Sequence, residues 1–453
     1  MARRVVITGL GAVSGFGYGV QPLWDALLAA RSALRPITAF DPAGFPCRFA
    51  AEAVGFAARD HVPKHYRKAV KVMARDIELA VGAAKAAIED AGVVTPAVAP
   101  DAQPTYAPQR VGCQIGAGLI AAEIDELTAA LVTATDDRGF FDYDRWGSPG
   151  MENLTPLWLL KYLPNMLACH VTILHNAQGP SNTITCSEAS GLLSIGESTR
   201  VIERGDADLC FSGGAESKLN GMGMVRMVFA DRMARTEGDP RSDSAPPAAS
   251  NDDEAPGARF VRPFDPRSPG GLLGEGGGII VLESLDTARA RGARIYAEVA
   301  GFGAGQSSWF SDEDAADRPI GLRYAIENAL EDAGIGPDAI DAIVPHACGA
   351  RASDAEEAAA LRAVFGARLA DIPLVTITPN IGDTMAGQGG LAACVAALCI
   401  HHRTLPARIH AGEPAPGLQA GRTGQRDARL DHVLVCTNAL GGQNAAAVFR
   451  SPT

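Results

Sequence analysis

The length, composition and charge of the chain exclude several classes of protein. It has 453 residues, of which 47% are hydrophobic and only 6% aromatic, so we expect an alanine- and glycine-rich globular core in more than one domain. The formal net charge of −12 argues against nucleic acid as a partner. No apolar run reaches the roughly 18 residues that cross a bilayer, and no leader precedes a cleavage site, which predicts a soluble cytoplasmic protein with no membrane partner.

The nine cysteines are scattered along the chain and lie mostly in apolar segments. No Cys-x-x-Cys pair and no Cys/His cluster has the spacing of a zinc site. We therefore expect buried free thiols, no disulfide bond and no bound metal.

The chain opens with a predicted strand from Arg4 to Leu10, which runs into Gly9-Leu10-Gly11. These glycines do not have the Gly-x-Gly-x-x-Gly spacing of a dinucleotide loop, and no acidic residue ends a second strand about 20 residues later. We therefore expect no dinucleotide site and no other cofactor.

A basic segment lies between Pro63 and Asp76, at the start of a predicted long helix from about Lys68 to Ala91. Its cations alternate with apolar residues and would lie mainly on one side of an amphipathic helix. They are Lys64, His65, Arg67, Lys68, Lys71 and Arg75. A solvated helix face is one interpretation of this run, and a docking surface for an acidic protein is the other.

Further elements follow from hydrophobic periodicity and from turn signals. Four strands are predicted, over residues 111–115, 207–212, 279–283 and 342–344. A mostly apolar helix is predicted over residues 157–175, after an irregular polar stretch over residues 133–156. The segment from Thr236 to Arg259 is rich in Ser, Ala, Pro and Asp, which predicts a surface loop.

Two short stretches of the chain repeat each other. Residues 87–92 read Ala-Ile-Glu-Asp-Ala-Gly and residues 329–334 read Ala-Leu-Glu-Asp-Ala-Gly, and each ends a predicted helix that is followed by a strand. Each half of the chain also closes on an apolar strand that leads into Gly-Gly, at residues 213–214 and 441–442. This order predicts a duplicated α/β unit, with domains over residues 1–257 and 258–453.

The segment from Gly179 to Gly205 predicts a short strand, a tight turn and a helix. A helix N-terminus offers free amide groups and a partial positive charge, so a strand that enters a helix through small residues is a common place for a nucleophile. We therefore expect the chemistry of the protein near this elbow.

The elbow resembles that of the ketosynthases, the β-ketoacyl-acyl-carrier-protein synthases of the thiolase superfamily. That family carries Gly-Pro, seven further residues and then Cys-(Ala/Thr)-Ser-Gly, and the count from Gly179 to Gly191 matches this pattern without a gap. The N-terminal sequence is also similar, and the resemblance extends from Arg3 to Phe449. It implies the thiolase-like fold, a duplicated α-β-α-β-α arrangement of five layers.

The resemblance also shows where this chain departs from the family. The nucleophile position holds Glu188, and Cys186 lies two residues too early. His346 fits the first of the two histidines that polarise a malonyl thioester in ketosynthases. In the second motif, Lys-Ser-x-x-Gly-His, we assign the Lys position to Pro379 and the His position to Thr384. Three of the four catalytic groups would therefore be absent.

Two binding functions follow from the same resemblance. In the family, a backbone amide of the last glycine-rich loop and the amide of the nucleophile form the oxyanion hole, and a Phe of that loop gates the acyl tunnel. These roles fall to Leu440, Gly441 and the amide of Glu188. The ketosynthases also carry a basic run for an acyl carrier protein, which here corresponds to Lys64, Arg67, Lys68 and Lys71.

A carboxylate at position 188 would hold an acyl chain far less persistently than a thiolate and would repel a malonyl carboxylate, so independent Claisen condensation is not expected. The pattern resembles the chain-length factors of type II polyketide synthases, which lack the nucleophilic Cys and shape a shared tunnel with an active ketosynthase. We therefore expect a chain-length-factor-like subunit of fatty-acid or polyketide biosynthesis. Its partners would be a catalytic ketosynthase or a second copy of itself, and an acyl carrier protein.

Three other interpretations stay open. The chain could be a malonyl decarboxylase, although that function uses the second histidine. Cys186 could be a relocated nucleophile, although two residues along a strand move a side chain by about 6.6 Å. The chain could also be a repurposed enzyme in which Glu188 and His346 perform acid–base chemistry or acyl transfer on a carrier-bound substrate.

Overall fold

The computed structural model describes residues 3–236, 255–307 and 321–452, so residues 237–254 of the predicted surface loop lie outside the described ranges. The strands are β1 (Val5–Ser14), β2 (Gly17–Tyr18), β3 (Leu34–Pro36), β4 (Phe49–Ala51), β5 (Val111–Ala117), β6 (Ser181–Ile184), β7 (Leu209–Glu216), β8 (Gly276–Ser284), β9 (Ala297–Gln306), β10 (Ala342–Val344), β11 (Thr404–Leu405), β12 (Arg426–Asp427), β13 (His432–Asn438) and β14 (Gln443–Arg450). The α-helices are α1 (Val20–Leu28), α2 (Arg75–Asp90), α3 (Ile124–Thr133), α4 (Tyr143–Gly147), α5 (Met166–His175), α6 (Ser190–Glu203), α7 (Gly221–Phe229), α8 (Leu285–Ala290), α9 (Gly321–Ala333), α10 (Arg351–Phe365), α11 (Thr378–Ile381) and α12 (Gln388–His402).

The main sheet consists of two similar half-sheets. Its strand order is β10-β13-β14-β9-β1-β8-β7-β5-β6, with β2 paired to β1. Outward from β1, the next two pairings are antiparallel and the third, between β7 and β5, is parallel. Outward from β9, through β14 and β13 to β10, the same sequence of pairings recurs. Strand β8 comes after the predicted domain boundary at residue 257. It nevertheless pairs with β1 and β7, which lie before that boundary.

Helices form three layers around the two half-sheets. Helices α6 and α12 pack on each other and on both half-sheets. In α12 every residue from Gln388 to Ile400 is buried, as expected for a helix that is apolar on all sides. Helices α2 and α5 cover the outer face of the first half-sheet, and α9 covers the second. This arrangement confirms the predicted thiolase-like fold.

The duplication extends to the contact between each outer helix and its strand. A Cβ atom on Gly11 of β1 would lie 2.0 Å from the carbonyl oxygen of Ala83 in α2. A Cβ atom on Gly303 of β9 would lie 2.1 Å from the carbonyl oxygen of Ala325 in α9. Each outer helix therefore rests directly on strand backbone, which gives the glycines of β1 and β9 a packing role.

The basic segment does not form the predicted long helix. Residues Lys64–Tyr66 and Ala69–Val72 form two separate 3-10 turns, and α2 begins only at Arg75. Between the turns and the helix, Met73 and Ala74 are extended and buried in the core beneath α2. Burial of these two side chains overrides the helical pattern of the sequence.

The predicted helix over residues 157–175 is also divided. Its first part is a 3-10 turn over Trp158–Tyr162, and α5 begins at Met166. Pro164 separates them, because proline lacks an N–H group and its ring clashes with the preceding helical turn.

All nine cysteines are free thiols, and seven of them are buried, as predicted for thiols in apolar segments. Within the described ranges, none of the helices combines the length and the apolar character that crossing a membrane requires.

Candidate functional site

Glu188 lies at the tip of the predicted elbow, in the 3-10 turn Ser187–Ala189 between β6 and α6. The preceding residue, Ser187, has a φ of 50°, in the left-handed region that residues with a Cβ rarely adopt. Such strained residues occur preferentially at functional sites. The Glu188 side chain is fully buried.

Two groups hold the Glu188 carboxylate. Its Oε1 lies 3.0 Å from Nη2 of Arg232 in a buried ion pair. Because this contact lacks the alignment of a hydrogen bond, the attraction is mainly Coulombic. The other oxygen, Oε2, accepts a hydrogen bond of 3.3 Å from the backbone N–H of Leu440. The carboxylate thus accepts the hydrogen bond of the amide that the family resemblance assigns to the oxyanion hole.

Arg232, which follows α7, also contacts two other buried groups. Its Nη2 lies 3.5 Å from Oδ2 of Asp383 and 3.4 Å from Sγ of Cys348. Burial opposes the charge of Arg232, but Cys348, Glu188 and Asp383 outweigh this effect and raise its pKa. The sequence motifs do not mark this arginine. The sequence feature that indicates a cation at this place is Glu188 itself, since a buried carboxylate requires a nearby cation.

His346 and Asp383 form a second buried charge pair. Nε2 of His346 lies 3.4 Å from Oδ1 of Asp383, and Nδ1 lies 2.9 Å from the side-chain oxygen of Asn438. Both ring nitrogens therefore face acceptors, as an imidazolium requires. Burial lowers the pKa of His346, but Asp383 outweighs burial and raises it to about 9. Burial likewise raises the pKa of Asp383, but His346 and Arg232 together lower it to about 2.

The position opposite His346 is held by Asp383 and not by Thr384. Oγ1 of Thr384 donates instead to Oε1 of Gln388, at 3.0 Å. When the family motif Lys-Ser-x-x-Gly-His is counted from Gly382, its histidine position falls on Asp383. The assignment to Thr384 is therefore one residue too late, and the group that replaces the second histidine is a carboxylate.

The lysine position of the motif shifts by the same residue. Counted from Gly382, it falls on Thr378, whose hydroxyl donates to the carbonyl oxygen of Ala347, next to His346. Pro379 lies one residue further along α11, and its carbonyl oxygen accepts a hydrogen bond from Ser32. We therefore assign the lysine position of the motif to Thr378 and not to Pro379.

Two buried acidic residues in α10 fix the loop that carries His346. The two carboxylate oxygens of Glu357 accept hydrogen bonds from the backbone N–H groups of His346 and Ala347, at 2.9 and 2.8 Å. Asp354 accepts from the N–H groups of Phe264 and Gly349, at 2.8 and 3.1 Å. These bonds set the position of the imidazole.

Three of the buried groups are of types that bind metals. The ligand atoms of His346, Cys348 and Asp383 lie within 4.8 Å of one another. Arg232 is in contact with two of the three, so a guanidinium already supplies positive charge at this position. Burial raises the pKa of the Cys348 thiol, which keeps it protonated.

There is little free space beside these charges. A cavity lined by Arg232, Cys348 and Asp383 has a volume of about 10 Å³, at the lower limit for a single water molecule. A cavity of about 480 Å³ lies elsewhere, and its walls include Asp76, Lys161 and Glu275 but neither Glu188 nor His346.

Cys186 does not have the features of a relocated nucleophile. Its side chain is half-buried, and burial raises the pKa of the thiol. A nucleophilic cysteine needs the opposite shift, toward the thiolate.

The His346–Asp383 pair predicts a specific titration. In the wild type the imidazolium should persist through neutral pH and titrate near pH 9. In Asp383→Asn the effects of burial and of the Arg232 charge remain and outweigh that of Glu188, so the pKa of His346 should fall below the ordinary value of about 6.5. Because the folded pKa of His346 is raised and that of Asp383 is lowered, the stability that this pair contributes is complete between about pH 3.8 and about pH 6.5. It is lost as the pH rises through about 9 or falls through about 2.

Proton NMR titration of the imidazole resonances measures this difference, and the resonances of the other histidines provide the reference. A His346 resonance that titrates at the same pH in both proteins would show that Asp383 does not hold the proton.

Comparison with known proteins agrees with this geometry. Residues 2–288 match the β-ketoacyl synthase N-terminal domain, and residues 296–412 match the β-ketoacyl synthase C-terminal domain. A polyketide β-ketoacyl synthase of Streptomyces cyaneus is 30% identical over 100% of this chain and 99% of its own length. The 3-oxoacyl-[acyl-carrier-protein] synthase 2 of Staphylococcus aureus is 29% identical over 99% of this chain and 98% of its own length.

Among solved structures, the ishigamide ketosynthase/chain length factor superposes with a TM-score of 0.79 and 28% identity, over 100% of both chains. The order of motifs, the duplicated sheet and these matches cover nearly the whole chain. The protein therefore belongs to the β-ketoacyl synthase family of fatty-acid and polyketide biosynthesis.

Proposed function

We propose that this chain is a non-condensing, chain-length-factor-like subunit that pairs with a catalytic ketosynthase and helps to shape the tunnel for a carrier-bound acyl chain. The observation that carries the proposal is the state of the elbow. Glu188 stands at the nucleophile position, and its carboxylate is held by Arg232 at 3.0 Å and by the amide of Leu440 at 3.3 Å. The oxyanion position is thus filled by the protein's own side chain.

The charges around the elbow also oppose condensation. Decarboxylation of a malonyl group in ketosynthases uses two histidines, and the second position here holds Asp383. A carboxylate at this position repels the malonyl carboxylate and keeps the proton on His346. These two effects argue against the malonyl decarboxylase alternative as well as against condensation.

The acid–base alternative has less support than the subunit role. A general base must be free to accept a proton from a substrate within hydrogen-bond reach. Glu188 is instead fully buried and bound at both oxygens, and the cavity next to Arg232 holds about 10 Å³. Neither observation provides room for a substrate at Glu188.

The partners are proposed from relatives and from the surface. The ishigamide structure is described as a ketosynthase/chain length factor, and the Staphylococcus aureus relative is named as a synthase of a 3-oxoacyl-[acyl-carrier-protein]. In this chain Lys64 and Lys71 are exposed on the two 3-10 turns of the basic segment. Lys68 is exposed between the turns, and Arg67 is half-buried beside it. Such a surface suits an acidic carrier protein.

The docking surface can be tested by charge reversal. In Lys64→Glu/Lys68→Glu/Lys71→Glu, affinity for the cognate acyl carrier protein should fall by roughly tenfold or more. The three lysines would attract the acidic partner and accelerate association, whereas three glutamates would repel it. The matched control, Lys64→Arg/Lys68→Arg/Lys71→Arg, keeps the charge and should bind within about twofold of the wild type. Surface plasmon resonance at about 50 and about 300 mM salt, on either side of the range in which surface charges become screened, measures both. Equal binding by the Glu and Arg variants would remove the basic segment from the interface.

Co-expression tests the proposed function as a whole. The chain is produced alone, with a catalytic ketosynthase from the same organism, and with that ketosynthase plus the carrier protein. Alone it should form no acyl-enzyme and no elongated product by intact-protein mass spectrometry. With the ketosynthase it should co-purify and determine the length of the product. Elongation by the chain alone would refute the proposal.

A further inference from the structure

A cavity of about 480 Å³, which we call the Asp76 cavity, lies apart from the elbow. The side chains at its inner end are buried: Met73, Asp76, Ile120, Tyr162, Ser217 and Glu275. Thr38, Val54 and Glu123 line its outer end and are exposed, so the cavity opens to solvent. Its volume lies in the range of about 300–1,000 Å³ that is typical of pockets for small organic molecules.

Asp76 places an unpaired acceptor at the inner end of this cavity. It lies in the first turn of α2 and is only 3% exposed. Its Oδ1 has no hydrogen-bond partner among the described residues. A buried oxygen in this state costs free energy, and an ionised one costs more. A ligand that donates a hydrogen bond to Oδ1 would remove this cost.

The charges in the wall of the cavity favour a cation as that ligand. The wall carries four acidic and two basic side chains, a net charge of −2 when all are ionised. Both cations are already paired, Arg75 with Glu275 at 2.7 Å and Lys161 with Glu126. The acidic side chains of the wall that have no ion pair within the described ranges are Glu52, Asp76 and Glu123. Their charge attracts a cation into the cavity.

We propose that the Asp76 cavity binds a small organic ammonium ion with an apolar body, of the arylalkylamine class. The ammonium group would donate to Oδ1 of Asp76 and supply the missing partner. The body would lie on the apolar part of the wall, where aromatic rings also attract cations. This part consists of Phe40, Val54, Phe56, Met73, Ile120 and Leu219. Among the described residues, no three metal-ligating side chains converge in this cavity, so its carboxylates do not form a metal site.

Binding should depend on the proton of Asp76. Burial raises the pKa of Asp76 to about 7; Glu216 also raises it, and Lys218 opposes both. Arg75 and Glu275 are the other charged groups at the inner end. An alkylammonium group, like that of lysine, stays charged between about pH 6 and pH 8, whereas the ionised fraction of Asp76 falls from about nine-tenths to about one-tenth. Affinity for the cation should therefore be about tenfold lower at pH 6 than at pH 8.

Calorimetric titration of the full chain with 2-phenylethylamine tests the proposal. The neutral 2-phenylethanol and the anionic 3-phenylpropanoate have similar bodies and are the control ligands. At pH 8 the amine should bind at least about tenfold more tightly than either, because charge-assisted hydrogen bonds are about twice as strong as neutral ones and the wall repels an anion. This comparison uses the wild type alone. Equal affinity for the three ligands, or an amine affinity that does not change between pH 6 and pH 8, would overturn the proposal.

Variants place the amine in the cavity. Asp76→Asn should weaken amine binding by at least about tenfold at pH 8 and remove its pH dependence, and circular dichroism checks that this variant folds. Val54→Lys changes an exposed residue at the outer end, so its fold is not at risk. It should weaken amine binding roughly threefold relative to the uncharged control Val54→Gln and leave the binding of 2-phenylethanol unchanged.

A control outside the cavity is Asp286→Asn, which changes an exposed aspartate and should bind the amine as the wild type does. A folded Asp76→Asn with wild-type affinity, or equal affinities of Val54→Lys and Val54→Gln, would contradict the proposed site. Neither result affects the chain-length role. Glu188 and His346 do not line the cavity, and that role is judged by the products of the co-expressed ketosynthase.

Discussion

Replacement of Arg232 by methionine should lower the free energy of unfolding by about 3–5 kcal/mol, the usual cost of removing one partner from a buried ion pair. Arg232 is the cation between Glu188 and Asp383, at 3.0 and 3.5 Å. Without it, two buried carboxylates lie close together with His346 as the remaining counter-charge. Thermal and urea unfolding at neutral pH measure the loss.

The partner substitution should cost less. In Glu188→Gln, Arg232 keeps Asp383, and the amide of glutamine can still accept a hydrogen bond from Leu440, so we expect a loss of about 1–3 kcal/mol. The double variant Arg232→Met/Glu188→Gln should be more stable than the sum of the single losses predicts, because Glu188→Gln removes the carboxylate that Arg232→Met leaves unpaired. Arg429→Met, in an exposed ion pair with Asp431, is the control and should change stability little. Additive losses would indicate that Arg232 and Glu188 do not interact.

The family motifs predicted the parts of the site that are local in sequence. The strand, turn and helix around Glu188 follow from β-branched residues, small residues and hydrophobic periodicity, and the structure has them at Ser181–Ile184, Ser187–Ala189 and Ser190–Glu203. His346 and Leu440 were likewise found from motifs, and the structure places the Leu440 amide on Glu188. Each of these elements is defined by a run of neighbouring residues.

Arg232 and Asp383 could not be found in the same way. Arg232 is a single charged residue after α7, and its importance depends on contacts with Glu188 and Asp383, which are 44 and 151 residues away in sequence. Asp383 can be identified from the sequence, since Gly382 fixes the register of its motif. A shift of one residue in the count placed Thr384 at the histidine position instead. The side-chain contacts agree with the register that Gly382 sets, since Asp383 faces His346 and Thr384 faces Gln388.

The secondary-structure errors have a similar origin. Local pattern favours a helix through the basic segment, but burial of Met73 and Ala74 requires extended backbone there. Hydrophobic periodicity reports which residues are apolar and does not report which neighbour they pack on.

Restoring the thiol alone should not restore condensation. Glu188→Cys places a sulfur near the amide of Leu440. Asp383 still repels a malonyl carboxylate, however, and His346 remains paired to Asp383. We therefore expect that Glu188→Cys reacts with iodoacetamide and still gives no elongated carrier-bound product above the background of the wild type.

Recovery should require the surrounding charges to change together. The double variant Glu188→Cys/Asp383→His would leave Arg232 without either carboxylate, so the useful protein is the triple variant Glu188→Cys/Arg232→Met/Asp383→His. Its rate of malonyl-dependent elongation should exceed that of Glu188→Cys by at least about 100-fold, since general acid–base groups typically contribute about 10²–10⁴-fold. Circular dichroism confirms folding, and mass spectrometry of the carrier protein measures the product. If Glu188→Cys alone elongates as fast as the triple variant, the loss of the sulfur is the whole reason for inactivity, and Arg232 and Asp383 only adapt the fold to Glu188.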